Sequence, residues 1–481
     1  MTIRKTFNIL LAASIVGMTA SSCSSDSAEF VTIEDTSGGD VAVTGFSLEA
    51  NANIAANLDS VYFSIDLDNA VIENYDSLPV GTRLAGAIAK ITYPTVSKVE
   101  VSTGGGSLQT KTFDYIANPN DSINLAAPSV KVRVVSANTQ YMREYTVKVN
   151  VHKLRPDTMY FDPTPVAQLP GGLTAVTAQK TVLRDGLYHT LTTDGASFSL
   201  AKGVNPGQSD TWAKESVSLP AGAETATFTA TAKAFYIIAG GKLFESADAA
   251  TWSDTGAAMT YIYGPYGDSI LGVKAEGGSY THVTYPATAE SPVPAGCPVS
   301  GTSALECYDS EWSESPMAIF TGGRCTDGSL SGSSWGYDGT KWANLSVAPM
   351  PAREGIATCN YYTISVSNQF KVTTTPVLYA FGGKGADGAC TNELFVSRDR
   401  GVHWTSAPRN LTFPATVPAL WGAQAVVCES TLNVPASRAT KPITSWQCPY
   451  IYILGGESAS GELNTGVWRG LINYFGFIPV Q

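Results

Sequence analysis

The chain has 481 residues, with 30 Lys+Arg against 41 Asp+Glu for a formal charge of −11; 44% of residues are hydrophobic and only 15% charged. This composition excludes a disordered tail, and 45 Gly with 26 Pro, scattered without a period, exclude collagen and long helical bundles. The acidic balance repels phosphate backbones, so no nucleic acid partner is expected, and the length suggests about three units of ordinary domain size.

Residues 1–22 read as a secretory signal peptide, with Arg4 and Lys5 as a basic start and Phe7 to Ala20 as a largely apolar core too short for a permanent span. It ends in Ala20-Ser21-Ser22-Cys23, which resembles a bacterial lipobox. The resemblance implies Cys23 as the lipid anchor and an outer-membrane lipoprotein, facing the cell surface and touching the membrane through that anchor alone. The alternative is an ordinary signal peptide cut near Ser22. Residues 23–29, small and polar, suit a tether.

From residue 30 to 155 the sequence alternates in period two, as in Val61-Tyr62-Phe63-Ser64-Ile65-Asp66-Leu67, Val130-Lys131-Val132-Arg133-Val134 and Tyr145-Thr146-Val147-Lys148-Val149. Such alternation marks strands with one wet face, and the length with its turn clusters suits an Ig-like β-sandwich.

Beyond residue 160 the sequence repeats. A proline signature recurs at Leu169-Pro170-Gly171-Gly172, Leu219-Pro220-Ala221-Gly222, Val293-Pro294-Ala295-Gly296, Met350-Pro351-Ala352-Arg353 and Val417-Pro418-Ala419-Leu420. The widest interval, Pro220 to Pro294, divides naturally into two units, which makes six in all. Within units an apolar strand ends in paired glycine: Gly240-Gly241, Gly322-Gly323, Gly382-Gly383 and Gly455-Gly456, with Asp185-Gly186 and Gly272 as weaker equivalents in the first and third units. A turn aspartate then precedes an aromatic, as in Asp194…Phe198, Asp248…Trp252, Asp338…Trp342 and Asp399…Trp404, where the carboxylate is expected to cap the turn and the aromatic to pack between sheets. Strand, Gly-Gly, strand, Asp-turn, aromatic strand and Pro loop is the grammar of a four-stranded blade. The units resemble kelch repeats crossed with Asp-box hairpins, and the whole resembles Bacteroidetes surface lipoproteins of unknown function. The expectation is an all-β protein, an N-terminal Ig-like β-sandwich followed by a six-bladed kelch-like β-propeller over residues 160–481. The ring would be completed by Met159–Ala167 or by Phe475–Val480.

The seven cysteines other than Cys23 all lie beyond residue 290, an odd number that permits at most three disulfides; Cys428 with Cys448 is the first choice of pair. No Cys-x-x-Cys is present and the four histidines are far apart, so no metal, no cofactor and no catalytic triad is expected. Loops joining second to third strands, and loops leading into a new unit, emerge on one rim of a propeller. They carry the candidate ligand-binding residues Trp421, Arg353, Glu354, Trp335, Arg324 and Lys384. Trp421 holds the place that Glu354 holds one unit earlier, since Pro-Ala-Leu-Trp-Gly aligns with Pro-Ala-Arg-Glu-Gly, and its ring would either stack on a sugar or wedge between blades. The function expected is a monomeric, non-enzymatic binding lipoprotein for a glycan or a protein ligand. The alternatives are a glycan-active enzyme, sialidase-like or another glycoside hydrolase, and a structural envelope component.

Overall fold

The computed structural model describes residues 38–473, except 75–76, 153–154, 156–157, 288, 311–313, 367–371 and 429–448. Cys23, the expected signal peptide and tether, Cys448 and Phe475–Val480 lie outside the described residues. Among those residues no helix is long and apolar enough to cross a membrane.

The N-terminal strands follow from the period-two alternation. In Ser129–Ser136, Val130, Val132 and Val134 are at most 3% exposed, while Lys131 and Arg133 project outward. The strands form two unequal sheets. Gly45–Leu48 pairs with Ala89–Thr92, and a six-stranded sheet runs in the order Phe63–Asp66, Val71–Asn74, Met142–Lys148, Ser129–Ser136, Val96–Gly105, Leu108–Asp114. Val71–Asn74 and Met142–Lys148 run parallel. Tyr145, fully buried between the sheets, satisfies its hydroxyl by donating to Val41 O (3.2 Å) and accepting from Val43 N (3.1 Å).

Residues 158–473 form a β-propeller domain built, among the described residues, from six successive antiparallel sheets. The first comprises Ala178–Arg184, Leu187–Thr193, Phe198–Gly203 and Ala213–Val217. The second comprises Thr229–Ala230, Phe235–Ala239, Lys242–Ser246 and Ser253–Ala258, and the third Tyr261–Tyr266, Ser269–Glu276, Ser279–Tyr285 and Glu290–Pro292. In the fourth, Pro298–Ser300 and Glu306–Tyr308 both pair with Met317–Cys325, followed by Leu330–Tyr337 and Trp342–Asn344. The fifth comprises Glu354–Val366, Val372–Lys384, Leu394–Ser397 and Thr405–Ser406. The sixth begins with Gln424–Val427, Ile451–Leu454 and Gly466–Asn473 and is finished by strands from the start of the domain. Thr158–Phe161 and Ala167–Gln168 pair with Gly466–Asn473, so Met159–Ala167 is the segment that completes the last sheet.

The interval from Pro220 to Pro294 does hold two sheets. Two of the glycine equivalences are corrected. In the third sheet the turn between second and third strands is Gly277-Gly278; Gly272 lies inside a strand, where a Cβ would meet Tyr261 O at 2.4 Å. In the first sheet Asp185-Gly186 joins the first and second strands, and the Asp194 turn occupies the Gly-Gly place. The second strand there, Leu187–Thr193, is buried through threonines that pair their hydroxyls, Thr181 Oγ1 to Thr190 Oγ1 at 2.8 Å, so no apolar run marked it.

The turn aspartates accept backbone N–H groups as expected, Asp194 from Ala196 and Ser197, Asp248 from Ala250 and Thr251, and Asp338 from Thr340 and Lys341. The aromatics that follow join neighbouring sheets. Trp342 packs against Tyr263 of the third sheet, and Trp404 Nε1 donates to Ser334 Oγ of the fourth at 2.9 Å. Of the cysteine pair, Cys428 carries a free thiol 3.5 Å from Tyr188 Oη.

Candidate functional site

The proline loops and the paired glycines turn out to be partners. Gly323 N donates to Arg353 O (2.9 Å) and Gly383 N to Leu420 O (2.8 Å), so in the fourth and fifth sheets the Gly-Gly holds the Pro-Ala-x loop entering the next sheet. Both glycines of each pair have positive φ, and a Cβ on Gly322 or Gly382 would lie 2.9 or 2.6 Å from the same carbonyl oxygens. Two residues further on, the innermost strands are tied to each other: Gly355 N donates to Gly301 O and Gly422 N to Gly355 O, each at 2.7 Å.

This stitching repeats one side-chain arrangement around the loop-bearing face. Ser300 faces Arg324, Glu354 faces Lys384, and Trp421 faces Glu457 across equivalent strand pairs. Two of these second-strand residues, Arg324 and Lys384, reach the next sheet. Arg324 grips Glu354 with two bonds, Nε to Oε2 at 3.1 Å and Nη2 to Oε1 at 2.6 Å, and Lys384 Nζ stands 3.7 Å from the centroid of the Trp421 ring. Glu354 in turn raises the affinity of Arg324 for its proton through that hydrogen-bonded pair. Thus Arg324, Glu354, Lys384 and Trp421 form one row. Trp421 is half-buried with its edge against Gly355, where a Cβ would sit 3.0 Å from Cε3, so the ring is seated between two sheets while Lys384 occupies one face.

Two predicted members belong elsewhere. Trp335 is 4% exposed in mid-strand opposite Phe320 and contributes to the core between the third and fourth sheets. The serine-rich stretch around it looks like a loop but is strand, with Ser334 itself buried and bonded to Thr321 Oγ1. Arg353, 7% exposed, lies beneath the row. It donates to Gly382 O and Glu393 and covers Phe395, so its work is packing.

One titrating residue was not anticipated. Glu306, half-buried on an innermost strand of the fourth sheet, accepts from Thr358 Oγ1 (3.3 Å) and Asn360 Nδ2 (2.6 Å) of the fifth. Burial pushes its carboxyl up to about 7, although both hydrogen bonds favour the charged form. Because the folded value lies above the ordinary 4.5, the folded state holds more protons in between, and stability falls as pH rises through that window. Glu306→Gln is expected to gain about 2 kcal/mol over the parent at roughly pH 8, after allowing for solvent near the carboxyl, and nothing at roughly pH 4. Urea unfolding of both chains at the two pH values measures this, and equal stabilities at the higher pH would refute it.

Among the described residues no group of three His, Cys, Asp or Glu side chains is placed to hold a metal ion. The row offers a cation, a paired carboxylate and an aromatic edge. Glu354, spent on two bonds to Arg324, is a weak candidate for a general base.

Residues 156–480 match the family model described as the DUF6242 beta propeller domain, and residues 40–149 the DUF6242 N-terminal domain. The chain belongs to the DUF6242 family. No curated protein matches this DUF6242 chain. Among solved structures it is similar to YjhT, at 11% identity and a TM-score of 0.39, covering 62% of this chain and 96% of that one. It is also similar to the Trypanosoma rangeli sialidase in complex with 2,3-difluorosialic acid, at 7% identity and a TM-score of 0.35, covering 65% and 58%. The extracellular domain of BT4673 from B. thetaiotaomicron follows at 10% identity and 0.31, covering 64% and 40%.

Proposed function

We propose that the protein is a non-enzymatic binding lipoprotein, anchored through Cys23 at the cell surface. It presents one face of a six-bladed, kelch-like propeller to a glycan or a protein, with the N-terminal domain as an Ig-like spacer. In this reading the six sheets are the six blades, and the protein is a monomer. The observation that carries the proposal is the repeated row on the loop-bearing face, Arg324 with Glu354 and Lys384 with Trp421. Half-buried paired charges and a half-buried tryptophan held by backbone stitching make a preorganised recognition surface, which loses little freedom when a ligand arrives. The same pairing withdraws Glu354 from acid–base work, which disfavours the glycosidase alternative.

Glycan and protein arrays probed with residues 30–481 test the proposal directly, and an absence of any ligand above background would defeat it. On a ligand so found, Trp421→Ala is expected to weaken binding about tenfold or more while leaving the melting temperature in place. A matching fall in melting temperature would assign Trp421 to inter-sheet packing alone. Metabolic lipid labelling that disappears in Cys23→Ala tests the anchor.

A further inference from the structure

On the opposite face from the row, a cleft of about 580 Å³ opens between the second and third sheets. Its lining comes from turns that join first to second and third to fourth strands: Lys233 and Asp248 from the second sheet, Asp268 and Pro286 from the third, with Glu245, Tyr236 and Tyr285 on the strands between. The volume lies within the range of small-ligand pockets.

The geometry points to a binding site for a short neutral saccharide in this cleft, read by Tyr236, Tyr285 and Glu245. Three features carry it. Tyr236 lines the cleft with its ring buried and its hydroxyl still reached by solvent, and that hydroxyl makes no hydrogen bond within the protein among the described residues, so it is free to bond a ligand. Tyr285 donates its hydroxyl to Glu245 Oε2 at 3.0 Å, and burial followed by this bond pushes the phenol up to about 12, so it remains a protonated donor that fixes the carboxylate. The partly exposed ring of Tyr285 is braced edge to face by Tyr236, with centroids 6.1 Å apart, and offers an apolar surface suited to the C–H face of a pyranose.

The wall is braced before any ligand arrives. Arg184 of the first sheet donates to Ala247 O (2.8 Å) and Lys233 O (3.0 Å), Lys233 pairs with Asp268 at 2.9 Å, and Asp248 is tied to its own turn by Ala250 N and Thr251 N. With Glu245, Asp248 and Asp268 set against the single ammonium of Lys233, the cleft is net negative, so it selects against sialylated and other anionic sugars. This site stands independently of the row on the other face.

Hydrogen-exchange mass spectrometry on the intact protein, with maltotetraose, cellotetraose and xylotetraose as neutral probes and 3′-sialyllactose as the anionic one, tests the inference. At least one neutral probe is expected to protect 233–236, 245–253 and 268–286, and the anionic probe none. Tyr236→Phe and Glu245→Gln, measured by calorimetry on that probe, are each expected to lower affinity about tenfold. Tyr236→Phe removes only an unpartnered hydroxyl, so it leaves the fold in place. Protection confined to 324–327, 354–355, 384–393 and 421 would assign the sugar to the row and overturn the cleft. No protection by any neutral probe, preference for the anionic probe, or unchanged affinity in both variants would overturn it as well.

Discussion

Trp404→Ala is expected to lower the unfolding free energy of the propeller domain by about 3–5 kcal/mol, the range for emptying a buried aromatic site. The side chain is 5% exposed and packs with Ile319, Met350, Ile356, Leu378 and Phe395, residues drawn from the fourth and fifth sheets and the loop between them. Collapse around the void is restricted, because Gly401, three residues before the tryptophan, is already as close as a glycine allows; a Cβ there would lie 2.4 Å from Ile319 Cδ1. The Asp399 turn sets the ring's position. Ser397 Oγ donates to Asp399 Oδ1 and accepts from Gly401 N, and Asp399 Oδ1 accepts from His403 N. Trp404→Phe keeps most of the apolar contact but loses the indole N–H bond to Ser334, so a loss of about 1–2 kcal/mol is expected. Chemical denaturation of the three chains decides the matter. If alanine costs no more than phenylalanine, the inter-sheet wedge is not what holds these sheets together.

The second large effect is expected at the ring closure. Met159→Asp places an unpaired carboxylate in the cluster that includes Ile451, Ile453, Trp468 and Ile472, at a cost of about 3–5 kcal/mol. Met159 sits opposite Ile472 and its N–H is held by Asn410 O at 2.9 Å, so the damage falls on the longer of the two strand pairings that join the start of the domain to its end among the described residues. Amides of 466–473 are expected to exchange faster than those of the second and third sheets, which the closure does not touch. Uniform exchange across all six sheets, or an unchanged midpoint, would show that the ring does not depend on this strand.

The repeat was legible in the sequence because each of its marks does work that few residue types can do. In the fourth and fifth sheets the paired glycines bond to the proline loop of the next sheet, and Trp421 occupies the backbone site that Glu354 holds one sheet earlier, as Pro-Ala-Leu-Trp-Gly against Pro-Ala-Arg-Glu-Gly predicts. The first sheet was misread for a physical reason: threonines bury as well as valines when their hydroxyls find partners, and no hydropathy pattern reports that partnership. Trp335 was misplaced for the converse reason, since serines around it suggested a loop while their hydroxyls were paired inside a strand. The cleft was invisible because Tyr236, Glu245 and Tyr285 belong to two sheets, and only the packing of those sheets brings them within hydrogen-bond distance. The Arg324–Glu354 and Lys384–Trp421 pairs were half legible: their residue types stood out, and the cross-sheet direction of the contacts did not.

Closure by the domain's first strands also decides where tension would be felt. The chain passes from the N-terminal sheets directly into Thr158–Phe161, the outermost strand of the sixth sheet, which runs antiparallel to the strand ending at Asn473. A pull along the linker therefore acts on four residue pairs at the perimeter, Thr158–Asn473 to Phe161–Gly470, and bypasses the centre of the ring. Those four pairs are therefore expected to part before the other five sheets when the molecule is stretched in a single-molecule pulling experiment.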